Sequence, residues 1–251
     1  MHALRQLLLS ITAGLLCLSL HPAVSHAGNA RNIIIMVPDG MGLADVTAAR
    51  TFRNGPDGAP LSFETLENIG YQRTHSANSL VTDSAAGASA WACGEKFANN
   101  EICFHGDGRP TRPSILELAR DKGKATGLVT TDGMCGATPA AFGAHVPKRN
   151  CRQEIARQYL EKTRVDVLLG GDMESFTAAK PDPCGARGNL VMTARNKGYT
   201  VVHDRDGLKK AVSTGCRKLL GLFSPRGMTA ELKRSPETRE PEPPRIWVGP
   251  E

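Results

Sequence analysis

Aromatic residues are scarce, at 5% of the 251-residue chain. A platform that stacks single-stranded nucleic acid needs aromatics interleaved with basic residues, and no basic helix face of that kind occurs. The net charge of +6 therefore reads as a solvated surface, with Arg226, Lys233, Arg234, Arg239 and Arg245 gathered toward the carboxyl end, and no nucleic-acid partner is expected. C-x-x-C pairs are missing, which argues against zinc-finger and thioredoxin-like sites. His75, His105, His145 and His203 lack a D-x-x-x-H or D-H setting, so each reads as a surface or packing histidine. No internal repeat is visible. A membrane-spanning helix needs about 20 apolar residues, and the apolar run from Leu7 to Leu20 falls short of that.

That run has another reading. It follows a positively charged start, Met1 to Arg5, and precedes the small-residue stretch Ser25-His26-Ala27. This is the pattern of a secretory signal peptide cleaved after Ala27, so residues 1–27 are expected to be removed and the product to be secreted or periplasmic. Leu16 is too bulky for lipoprotein processing at Cys17, and no stable membrane anchor is expected. The remaining cysteines are Cys93, Cys103, Cys135, Cys151, Cys184 and Cys216. An even set in an oxidising compartment suggests disulfides. Proximity along the chain suggests Cys93 with Cys103 and Cys151 with Cys184.

What the chain has in quantity is Gly (26) and Pro (16), between apolar runs that alternate with helical patterns. Asn32 to Val37 is continuously apolar, as expected of a strand buried on both faces. Helices are predicted at Gly42 to Arg53, Ser84 to Ala92, Pro113 to Asp121, Arg152 to Lys162, Leu190 to Lys197 and Asp206 to Val212. Strands are predicted at Ala125 to Thr130, Val165 to Leu169, Tyr199 to His203 and Lys218 to Phe223. The alternation predicts parallel β-α-β units and an α/β fold. From Ser235 the chain is rich in Pro and Glu without apolar periodicity, and residues 235–251 read as a disordered tail.

Three segments carry chemistry. Pro38-Asp39-Gly40-Met41-Gly42 follows the first apolar run, at the strand end where open α/β sheets bind ligands; Asp39 either holds a cation there or caps the next helix. Val81-Thr82-Asp83-Ser84-Ala85-Ala86 places Ser84 at the start of a helix of small residues, where exposed amides and the helix dipole attract anions; the alternative is a plain cap and a close-packed helix. Thr130 to Ala141 again follows a strand. Thr138 there offers a hydroxyl to a metal, and Arg149 a fork for two phosphate oxygens, unless they are loop polarity and a solvated charge.

The strings PDGMG, VTDSAAGASAWACG, ATPAAFGAHVPKR, DVLLGG and LLGLF, in that order, resemble the amino-terminal half of bacterial alkaline phosphatases, over about Asn32 to Met228. The resemblance implies a three-layer α/β/α architecture with a largely parallel central sheet, present here incompletely in residues 28–234. It implies phosphate monoester hydrolysis with two Zn2+ and one Mg2+, small-molecule monoester substrates, and a homodimer, the common state of the family. By position, Ser84 resembles the nucleophile that becomes phosphoserine. Asp39 resembles the carboxylate between zinc and magnesium, Thr138 a magnesium ligand, Arg149 the phosphate-gripping guanidinium and Asp83 its orienting neighbour. Two departures stand out. Gly136 replaces a side chain, often Asp or His, that tunes the magnesium site. The family's remaining zinc ligands come from a carboxyl half that this sequence does not contain, so a catalytically inactive, truncated fragment is the alternative.

Overall fold

The computed structural model describes residues 30–178, 181–186 and 188–230. The expected signal peptide and the Pro-rich tail lie outside the described residues. The chain separates into two units, Met1–Pro38 and Asp39–Glu251.

The second unit holds every named element. Helix α1 spans Leu43–Asn54, and a single 3-10 turn follows at Ser62–Thr65. Next come α2 (Ser84–Cys93), α3 (Ile115–Asp121), β1 (Gly127–Gly133), α4 (Ala137–Gly143), α5 (Arg152–Glu161), β2 (Val167–Gly171) and α6 (Met173–Thr177). The order closes with α7 (Leu190–Asn196), β3 (Thr200–Val202), α8 (Arg205–Ser213) and β4 (Leu219–Leu222). The four strands form one parallel sheet in the order β1-β2-β4-β3. The alternating helices and the parallel sheet make this an α/β fold. No helix among the described residues is long and apolar enough to cross a membrane.

The two middle strands, β2 and β4, are apolar because they are largely covered on both faces. Leu168 pairs in register with Leu128 on one side and Leu220 on the other, and both Leu168 and Leu220 are fully buried. Four of the helices, α2, α3, α7 and α8, start where a side chain accepts from a first-turn amide. Asp83 accepts from Ala86 N at 2.9 Å, Asp204 from Gly207 N at 2.7 Å, and Ser114 and Glu117 form a reciprocal capping box on α3. Helices α2 and α4 present Ala85, Ala86, Ala88, Ala92, Ala140 and Ala141 to the core, all buried, and small residues let the two approach closely. Gly143 serves the same end: a Cβ there would sit 2.8 Å from the Tyr159 ring.

One predicted strand is corrected. Residues 30–38 join no ladder, and Ile33, Ile34, Ile35 and Met36 are exposed. An apolar run fixes only a preference for burial; a parallel strand exists through its neighbours' hydrogen bonds, and none of the described strands pairs with it. Two helices, α4 and α6, are additional to the predicted set.

Candidate active site

The three chemically marked segments meet at the amino end of α2. Ser84 is the first residue of that helix and Asp83 its N-cap, so the first-turn amides have no intrahelical acceptor and the positive end of the dipole lies beside the Ser84 hydroxyl. The hydroxyl donates to Asp39 Oδ1 at 3.3 Å. Thr138 Oγ1, in the first turn of α4, donates to Asp39 Oδ2 at 2.8 Å. One carboxylate thus spans two hydroxyls that are 54 positions apart in sequence, Ser84 and Thr138. Asp39 is exposed, and Ser84 and Thr138 are half-buried.

Arg149 arrives by a different route. Its Nη1 donates to Asp83 Oδ2 at 3.1 Å, while Asp83 Oδ1 caps α2. The same Oδ2 accepts from Asn100 N at 3.0 Å, and the Arg149 amide donates to Asn100 O at 2.8 Å. Asp83 therefore fixes the helix start and draws the guanidinium toward it. Neither Asn100 nor its neighbour Asn99, whose Oδ1 accepts from Asp83 N at 3.1 Å, stood out in the sequence; nothing in local spacing marks them.

A second carboxylate shapes the loop that delivers Thr138. Asp172 follows β2 with a left-handed backbone, φ 84°. Its side chain is buried and accepts from Arg152 Nη2 at 2.7 Å, Ser175 Oγ at 2.6 Å and Cys135 N at 3.0 Å. Burial disfavours the Arg152 charge, yet the Asp172 carboxylate outweighs it and the Arg152 pKa rises. The Cys135 contact holds the turn that ends at Gly136, the N-cap position of α4. Asp172 was missed from sequence, although a carboxylate directly after DVLLGG is the signal that marked Asp39.

The donor set distinguishes between the implied metals. Asp39, Ser84 and Thr138 offer one carboxylate and two hydroxyls, a hard all-oxygen set of the kind that holds Mg2+ with several waters retained. A zinc pair needs about three protein ligands per ion, with nitrogen or sulfur common among them. Among the described residues no group of three or more His, Cys, Asp or Glu could hold a metal ion, so these residues do not by themselves supply the ligands of a zinc pair. At Gly136 a Cβ would meet Gly133 O at 2.9 Å and Asp132 Oδ2 at 3.2 Å, so a longer side chain would require this turn to shift.

The histidines do other work. His145 bridges Cys103 O at 2.8 Å and Glu117 Oε2 at 2.9 Å, and His105 stacks on Phe97 with ring centroids 4.5 Å apart. A basic cleft of about 610 Å³ lies among Arg120, Arg164, Asp166, Arg217 and Lys218. It sits at the amino ends of the strands, opposite to where open parallel sheets bind ligands.

The alkaline phosphatase family model matches residues 30–243. Streptomycin-6-phosphate phosphatase of Streptomyces griseus is 37% identical over 89% of this chain and 56% of its own length. A cold-active alkaline phosphatase from Shewanella sp. superposes with a TM-score of 0.67 at 33% identity, over 78% of this chain and 47% of that one. A TAB5 alkaline phosphatase mutant with Mg bound in its M3 site also gives a TM-score of 0.67, at 30% identity over 78% of this chain and 53% of that one. The chain spans about half the length of the relatives it matches. On this evidence it belongs to the alkaline phosphatase family.

Proposed function

We propose that the chain performs alkaline-phosphatase-type hydrolysis of phosphate monoesters through a phosphoserine at Ser84. The observation that carries this reading is the convergence of Ser84 and Thr138 on Asp39 at a helix start to which Asp83 ties Arg149. In this reading Ser84 Oγ attacks the phosphorus in line with the leaving alkoxide. Arg149 binds non-bridging oxygens with the N–H donors not used by Asp83, and the first-turn amides of α2 face the developing charge. Water then hydrolyses the phosphoserine and releases inorganic phosphate. Phosphoryl transfer depends mainly on positioning and charge neutralisation, which is what these groups supply.

A serine hydroxyl is a poor nucleophile near neutral pH, and a divalent cation held by Asp39, Ser84 and Thr138 would supply its activation. The proposed cofactors are those of the family resemblance, two Zn2+ and one Mg2+. The oxygen set accommodates the magnesium, and the zinc pair requires ligands beyond the described residues. The proposed setting is secreted or periplasmic, which the leader pattern and the Cys151–Cys184 disulfide support; a homodimer rests on the resemblance.

The lack of a zinc ligand set among the described residues favours a second reading, an inactive chain. Hydrolysis of an aryl phosphate at alkaline pH, with zinc and magnesium added, separates the two when the chain is compared with Ser84→Ala. Turnover that is lost at least 100-fold in the variant is expected, of the order of a transition-state contribution of about 3 kcal/mol. Equal rates would remove Ser84 from the mechanism, and no turnover in either protein would establish the inactive reading.

A further inference from the structure

The expected Cys93–Cys103 disulfide is not formed in the structure: the two are free, buried thiols that lie side by side outside the site. Cys93 is the last residue of α2, and its Sγ donates to Cys103 Sγ at 2.9 Å. The Cys103 thiol in turn donates to Ala141 O at 3.0 Å. Their closeness is built by the backbone. The Cys103 amide donates to Ser89 Oγ at 2.9 Å, and Ser89 and Cys93 are four apart on one face of α2, hence neighbours on the helix surface. Cys103 also holds φ at 41°, a left-handed conformation unfavourable for a residue with a Cβ. The loop thus accepts local strain at the residue whose sulfur reaches Cys93.

We propose that Cys93 and Cys103 form a second disulfide, one that fastens the carboxyl end of the Ser84 helix to the loop whose Asn100 holds Asp83. The sulfurs need to close by less than about 1 Å to reach the bonded length of about 2.05 Å. The co-reactant is a small-molecule disulfide, R–S–S–R. Cys93 is 6% exposed and Cys103 fully buried, so Cys93 is the thiol that attacks the reagent first. Its thiolate displaces RS⁻ to give a Cys93–S–S–R mixed disulfide, and Cys103 sulfur then displaces the second RS⁻. Two protein S–H bonds are lost and one S–S bond forms; both protons leave with the two R–SH released, and the reagent gains the two electrons. The contact with Cys103 together with the nearby His145 charge outweighs burial and lowers the Cys93 pKa, which raises the reactive fraction of that thiol.

Among the described residues the other free thiols lack this arrangement. Cys216 Sγ donates to Lys218 O at 2.9 Å, and Cys135 is fully buried beside Asp172, with burial pushing its pKa up.

The test uses the full chain, reduced, exposed to oxidised glutathione, alkylated and digested. Mass spectrometry is expected to find a peptide pair joined through Cys93 and Cys103, lighter by two hydrogens, with Cys135 and Cys216 alkylated. Alkylated Cys93 and Cys103, a persistent glutathione adduct on Cys93, or either residue joined to another cysteine would overturn the proposal. The Cys151→Ala/Cys184→Ala double variant isolates the effect on stability. A link closing so short a loop is expected to raise Tm by roughly 5–10 °C on oxidation, and an unchanged Tm counts against it.

Discussion

At the scale of single residues, the site depends on carboxylates that each do two things. Asp83 caps α2 with one oxygen and holds Arg149 and Asn100 with the other, so helix geometry and cation position cannot vary independently. Asp172 does the same for the turn before α4. Its carboxylate is 3% exposed and serves three donors. Asp172→Ala removes the acceptor, leaves the Cys135 amide and the Arg152 charge short of a partner, and keeps a left-handed backbone that alanine disfavours. The expected loss is about 3 kcal/mol. Asp172→Asn retains an oxygen for Cys135 N and tolerates positive φ, so its loss is expected to be about half of that. Urea denaturation midpoints of the two variants check the ordering, and equal losses would refute it.

At the scale of elements, His145 and Glu117 join α3 to the segment that follows α4. Burial opposes charge on both, but their mutual hydrogen bond and attraction prevail: the His145 pKa is raised from 6.5 and that of Glu117 lowered from 4.5. A raised histidine contributes stability that is complete below about 6.5 and fades as pH rises through its folded pKa. A depressed glutamate contributes stability that is complete above about 4.5 and fades as pH falls through its folded pKa. The pair therefore contributes most between those values. Thermal melts are expected to show Tm falling as pH rises from 6.5 toward 8, and this slope is expected to flatten in His145→Gln; an unchanged slope in the variant would place its origin elsewhere.

The same element scale explains what was legible in the sequence. Strands β2 and β4 announced themselves as DVLLGG and LLGLF because a buried parallel strand is apolar on both faces. Helix α4 did not, because ATPAAFG is largely buried and offers no polar face to set a period; its Pro139 lies in the first turn, where proline is tolerated. Asp39, Ser84 and Thr138 were legible through their places after apolar runs or at helix starts. Asp172 carried the same signal, a carboxylate directly after DVLLGG, and was overlooked, whereas Asn100 acts through tertiary contacts that spacing does not encode.

At the scale of the whole molecule, each unit leaves apolar surface in water. In residues 30–38, Ile34 is 85% and Met36 87% exposed. In the second unit Tyr71 is 94% and Leu80 92% exposed, and Val129, on the outermost strand β1, is 73% exposed. Strand β1 has a single strand neighbour, β2, among the described residues, so no ladder covers its other edge, although Thr131 O accepts from Met228 N at 3.0 Å. Such an edge recruits further strands, and many large apolar side chains in water favour association. The purified chain is therefore expected to bind a hydrophobic dye and to sediment as concentration-dependent aggregates, and a lysine at Val129 is expected to reduce that association by charging the edge. A monomer with a sharp, cooperative melt and no dye binding would show that these surfaces are covered in solution by contacts within the chain itself.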